Sequence, residues 1–116
     1  MKRTFKEFPA FSSLVRSGQI SDEQVRQTQE DIMAGGGDAI PGTGGVRKIR
    51  CRGHEGGKRG GWRILFADYE RFGLAFLIWA FPKGGKATLT AAEKNVIRKL
   101  KRDIDREVEA SYGRRD

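Results

Sequence analysis

Residues 74–81 read Leu-Ala-Phe-Leu-Ile-Trp-Ala-Phe, an unbroken run of eight apolar side chains. A strand sends successive side chains to opposite faces, so a strand that is apolar on both needs cover on both. The run is far too short to cross a bilayer as a helix. Upstream, 63–68 alternates, with Ile64 and Phe66 on one side. The link Tyr69-Glu70-Arg71-Phe72-Gly73 is short enough for a hairpin, which makes the two strands antiparallel. The spacing therefore predicts a central strand at 74–81 in a small antiparallel sheet, with helices to cover it.

Those helices are legible at both ends. Thr4 to Phe8 alternates as a short edge strand, and a weak helical segment after Pro9 offers Phe11, Leu14 and Val15 as its apolar face. Ser21-Asp22-Glu23-Gln24 is a capping box, followed by Val25, Ile32 and Met33 on one side and stopped by Gly35-Gly36-Gly37. A second box, Thr90-Ala91-Ala92-Glu93, opens a helix. Its pattern points Val96, Ile97, Leu100, Ile104 and Val108 inward and Lys94, Arg98, Lys101 and Arg102 outward. Strand, two helices, three antiparallel strands and a helix make an α+β domain, with N-terminal and C-terminal helices packed on one small sheet. No repeat or linker divides the chain, so 1–116 is expected to be one domain with a flexible tail of a few residues.

Length and composition bound the chemistry. With 116 residues, 37% of them apolar, there is room for one small core, not for separate cofactor and substrate domains. Lys and Arg number 23 against 15 acids, for a net charge of +8. A domain this basic usually meets a polyanion. One cysteine excludes an internal disulfide and suits a reducing compartment. Met1-Lys2-Arg3-Thr4-Phe5-Lys6 has charge with no apolar run behind it, so neither a signal peptide nor a membrane role is expected, and the chain reads as soluble and cytoplasmic.

The charge is concentrated. From Val46 to Arg63 there are seven basic residues and one acid, Glu55. Read as a strand, Val46 to Arg52 places Lys48, Arg50 and Arg52 on one face, with Ile49 and Cys51 on the other. Same-side residues in a strand lie about 6.6 Å apart, close to the spacing of phosphates along an extended nucleic-acid strand. The glycines around Lys58 and Arg59 read as a hairpin loop. Arg47, Lys48, Arg50, Arg52, Lys58, Arg59, Arg63, Lys83 and Lys86 form the candidate set, with few acids nearby in sequence to neutralise them.

Other site chemistries lack their residues. There is no histidine pair, His-Glu motif or Cys-x-x-Cys, so no metal site is expected. Cys51 reads as a small buried strand residue, and His54, the only imidazole, as a solvated loop residue. Gly42-Thr43-Gly44-Gly45 lacks the Gly-Lys-Ser/Thr ending of a nucleotide loop, and the glycines at 56–61 lack a following helix. Both stretches read as tight turns and close backbone approaches, and no cofactor is expected. Trp62 is read as core in preference to a base-stacking platform.

Four stretches together carry a family likeness. Ser21-Asp22-Glu23, the run Ile40-Pro41-Gly42-Thr43-Gly44-Gly45-Val46-Arg47-Lys48-Ile49-Arg50, the loop Gly57-Lys58-Arg59-Gly60-Gly61 and the tail from Lys83 to Leu89 resemble the RelE superfamily of bacterial toxins, within it the HigB branch. The resemblance implies a toxin of a type II toxin–antitoxin pair that enters the ribosomal A site and cuts translated mRNA without a metal. It implies a cognate antitoxin, usually a helix-turn-helix protein, and contact with operator DNA only through the toxin–antitoxin complex. By position, Arg63 would hold the scissile phosphate and Lys83 would stabilise the transition state or act as acid. Lys58 and Arg59 would contact phosphate or supply the base, and Arg47, Lys48, Arg50, Arg52 and Lys86 would bind RNA. The sequence departs from many relatives in having no tyrosine between Tyr69 and Tyr112, and in Pro82 and Gly84-Gly85 where a more polar tail is usual. The competing expectation is a toxin of the same fold that acts by protein contact, as ParE does on gyrase, or an inactive relative that serves as an operon corepressor.

Overall fold

The computed structural model describes residues 2–52, 61–82 and 88–113. Among them are five strands and three helices: β1 (Thr4–Glu7), α1 (Pro9–Arg16), α2 (Asp22–Met33), β2 (Asp38–Ala39), β3 (Arg47–Cys51), β4 (Trp62–Tyr69), β5 (Leu74–Pro82) and α3 (Ala91–Tyr112). The strands form one sheet in the order β1-β5-β4-β3-β2. The α+β expectation holds, with two differences in the sheet: the short strand β2 is added at one edge, and the pairing is not all antiparallel. β1 pairs parallel to β5 while every other pair is antiparallel, so the sheet is mixed. A parallel neighbour needs a crossover or a distant strand, and β1 lies about seventy residues before its partner. Arg3 anchors its start: Nε and Nη2 donate to the two carboxylate oxygens of Asp68 at 2.8 and 2.9 Å.

The sheet separates two apolar layers, which is what the run at 74–81 demanded. Phe11, Val25 and Ile32 from α1 and α2 pack against Ile49, Cys51, Trp62, Ile64 and Phe66. On the other side Ile97, Ile104 and Val108 of α3 pack against Val46, Leu65, Leu74, Ile78 and Phe81. Cys51 and Trp62 are therefore core residues, as read from the sequence. The register between β4 and β5 slips between Leu65 and Phe66, leaving Ile78 as an extra residue on β5. This bulge lets Ile78 and Trp79 both face α3.

Both capping boxes form, Ser21 with Gln24 and Thr90 with Glu93. Three helix positions depart from their pattern. Met33 is 45% and Val96 67% exposed, whereas Lys101, expected outside, is buried. Val96 lies on the rim of an apolar groove between the starts of α1 and α3, beside Phe8 and Trp79, so its helix face meets no opposing element. Lys101 turns inward because its charge is met there: Nζ donates to Asp105 Oδ1 at 2.6 Å and stands 5.0 Å over the Tyr69 ring.

The glycine motif at 42–45 is a turn that rides on α3. Gly42, Gly44 and Gly45 all have positive φ, and side chains there would approach the stems of Lys94, Arg98 and Lys101. Thr43 is fully buried: its Oγ1 donates to Ile40 O at 2.7 Å and accepts from Val46 N at 3.2 Å. The close-approach reading of these glycines is the one the fold uses.

Candidate nucleic-acid interface

β3 and β4 are adjacent, and their register decides which cations meet. Arg50 stands directly opposite Arg63, and Arg63 in turn opposite Phe81. One pair further along, Lys48 stands between Asp38 of β2 and Leu65 of β4. Lys48, Arg50 and Arg63 share the sheet face that carries Leu65 and Phe81, the α3 face. Two arginines directly opposed across a ladder repel one another, so this pairing is not built for stability.

These three line a cleft of ≈ 190 Å³ together with Gly37 and Asp38. Four cations elsewhere are paired: Arg3 with Asp68, Arg26 with Glu23 and Glu30, Lys101 with Asp105, Arg106 with Asp103. Among the described residues no ion pair forms to Lys48, Arg50 or Arg63. Arg63 goes further, since its Nε is buried with no hydrogen-bond partner. A buried donor left unpaired carries a desolvation cost of about 1–3 kcal/mol. Arg50 is exposed and Arg63 half-buried, so the cleft has a cationic lining whose chemistry would suit an oxyanion.

The expected residues divide. Lys48, Arg50 and Arg63 come together. Arg47 alternates to the other face, where its Nη2 donates to Gly37 O at 2.6 Å and secures the turn before β2. Arg52 lies just past the end of β3, exposed, with its carbonyl accepting from Gln24 Nε2 at 2.8 Å. Lys58, Arg59, Lys83 and Lys86 lie outside the described residues, as do His54 and the expected hairpin loop.

Sequence reading missed two contributors. Asp38, on a two-residue strand, is the carboxylate of the cleft lining. Lys94, assigned to the solvent face of its helix, lies under the Gly42 turn and lines a second cavity next to the cleft. Only the folding of the 42–45 turn onto α3 brings it there, and no local pattern encodes that contact. Cys51 offers no nucleophile, because burial pushes its thiol above the ordinary range and keeps it protonated. No group of three or more His, Cys, Asp or Glu side chains that could hold a metal occurs among the described residues, and none of their helices is long and apolar enough to cross a membrane.

A small α+β domain whose sheet presents two opposed arginines, neither in an ion pair among the described residues, offers a cationic surface that suits a polyanion. The comparison with known families is specific: residues 2–111 match the family described as the RelE toxin of the RelE / RelB toxin-antitoxin system, and the chain belongs to that family. It is the toxin of a toxin–antitoxin pair, and the family implies a cognate antitoxin as its partner.

Proposed function

We propose that this toxin is a ribosome-dependent mRNA endonuclease that stops translation by cutting message in the A site. The observation that supports the reading is the direct opposition of Arg50 and Arg63 in a cleft that Lys48 also lines, with no ion pair to any of the three among the described residues. Family membership supports it, since proteins of this family are generally endoribonucleases. In the reaction, a ribose 2′-OH loses its proton and its oxygen attacks the adjacent phosphorus. The bond to the 5′ oxygen breaks, leaving a 2′,3′-cyclic phosphate on one fragment and, once a proton is delivered, a 5′-OH on the other. Arg63 and Arg50 stabilise the extra negative charge as it develops. Lys83 serves as acid or transition-state stabiliser, while Lys58 and Arg59 contact phosphate or supply the base. Lys48, Arg52 and Lys86 hold the RNA path, whereas Arg47, on the opposite face, secures the turn before β2. The ribosome supplies most of the substrate positioning, so naked RNA is cut poorly.

The test is induction in cells with mapping of transcript ends. Wild type should cut within translated frames and arrest growth, and Arg63→Ala and Lys83→Ala should each lower cutting at least about 10²-fold while the protein still folds. Growth arrest with full-length transcripts would falsify the reading and favour a toxin acting by protein contact.

A further inference from the structure

Beside the cationic cleft lies a second cavity of ≈ 160 Å³, and Lys48 lines both. Its interior is apolar: Leu65 and Phe81 from adjacent strands, closed by Leu89 just ahead of α3, all three buried. Its mouth is polar, with Lys48 and Lys94 on the rim and the exposed Thr88 beside them. Small concave sites with an apolar interior and a few placed polar groups suit flat, largely apolar rings. Phe81 links the two cavities, because it is also the cross-strand neighbour of Arg63. A chain that sets a phosphate between Arg50 and Arg63 thus has a ring-sized slot one step away. Two ammonium groups at the slot's mouth favour an occupant that is itself part of an anionic polymer.

We propose that this slot is a nucleobase subsite, taking one base of the RNA strand whose phosphate lies at Arg63. The assignment rests on the endonuclease reading and adds its specificity: the slot selects which base stands next to the cut. A helix or strand of a partner protein does not fit a cavity of this volume.

Cleavage-site mapping on purified ribosomes tests this, using message in which the bases around the cut are randomised. Leu89→Phe fills the slot from within, Leu89→Ala enlarges it, and Thr88→Phe closes it from the exposed mouth without loading the core. Wild type should show a base preference of about tenfold or more at one position. That preference should flatten in Leu89→Phe and Thr88→Phe and spread toward larger bases in Leu89→Ala, whereas Arg63→Ala should cut nothing. A preference that survives all three slot variants, or a wild type that cuts without any, overturns the slot and leaves the endonuclease standing. Absence of wild-type cutting overturns both. Circular dichroism reports whether the Leu89 variants fold, and Thr88→Phe carries the comparison if they do not.

Discussion

Lys101 and Arg63 are both cations drawn against the α3 face of the sheet, and the protein treats them in opposite ways. Lys101 receives a carboxylate at 2.6 Å and an aromatic face at 5.0 Å. Its carboxylate, Asp105, is also the acceptor for the Tyr69 hydroxyl at 2.6 Å. Desolvation first, then that hydrogen bond, push the Tyr69 phenol well above its ordinary value, and burial moves the Cys51 thiol the same way. The consequence has a definite sign. An unfolded chain ionises cysteine near about 8.5 and tyrosine near about 10, while the folded protein keeps both protonated. The stability these groups confer is therefore complete below about pH 8.5 and declines as pH rises through the two unfolded values. Urea unfolding between neutral and strongly alkaline pH should show this decline, and Tyr69→Phe should shrink its upper part. An unchanged alkaline limb in that variant would contradict the assignment.

Whole elements were legible where their signals are local. The two capping boxes, the apolar face of α1 and the burial of Ile64 and Phe66 follow from short-range pattern, and all are present. What stayed hidden depends on contacts made at long range: the parallel pairing of β1, the bulge at Ile78, and the exchange of Val96 and Lys101 between outside and inside. In the candidate site, alternation along β3 placed Lys48 with Arg50, but the opposition of Arg50 to Arg63 is a matter of register between strands. The turn into β2 is similarly fixed by packing. Gly37 has φ +102°, and a Cβ there would come within 2.7 Å of Phe66 Cζ. Gly37→Ala should cost about 2–4 kcal/mol. Gly18→Ala, at φ +82° but with open space around it, should cost only the backbone strain of about 1–2 kcal/mol. Chemical denaturation of the two variants measures the difference, and equal losses would mean that the Phe66 contact relaxes freely.

At the scale of the molecule, the excess of positive charge is not spread evenly. The α2 surface pairs its arginine with two glutamates, while the β3–β4 face leaves its cations open. Attachment to ribosomes should accordingly weaken steeply as salt rises, since each neutralised phosphate releases counterions. Lys48→Gln should lower the slope of log affinity against log salt by about 1. A slope unaffected by that substitution would place Lys48 off the phosphate path.

The buried Nε–H of Arg63 reaches beyond binding. Folding removes that hydrogen from water and, among the described residues, supplies no acceptor. On the proposed function, a small shift of the Arg63 side chain that let a bound phosphate reach this group would remove a penalty the unbound fold bears, tying occupancy to resistance against unfolding. Such a toxin would be weakest as a fold when idle and firmest with its ligand bound, which thermal unfolding with and without a short RNA would show.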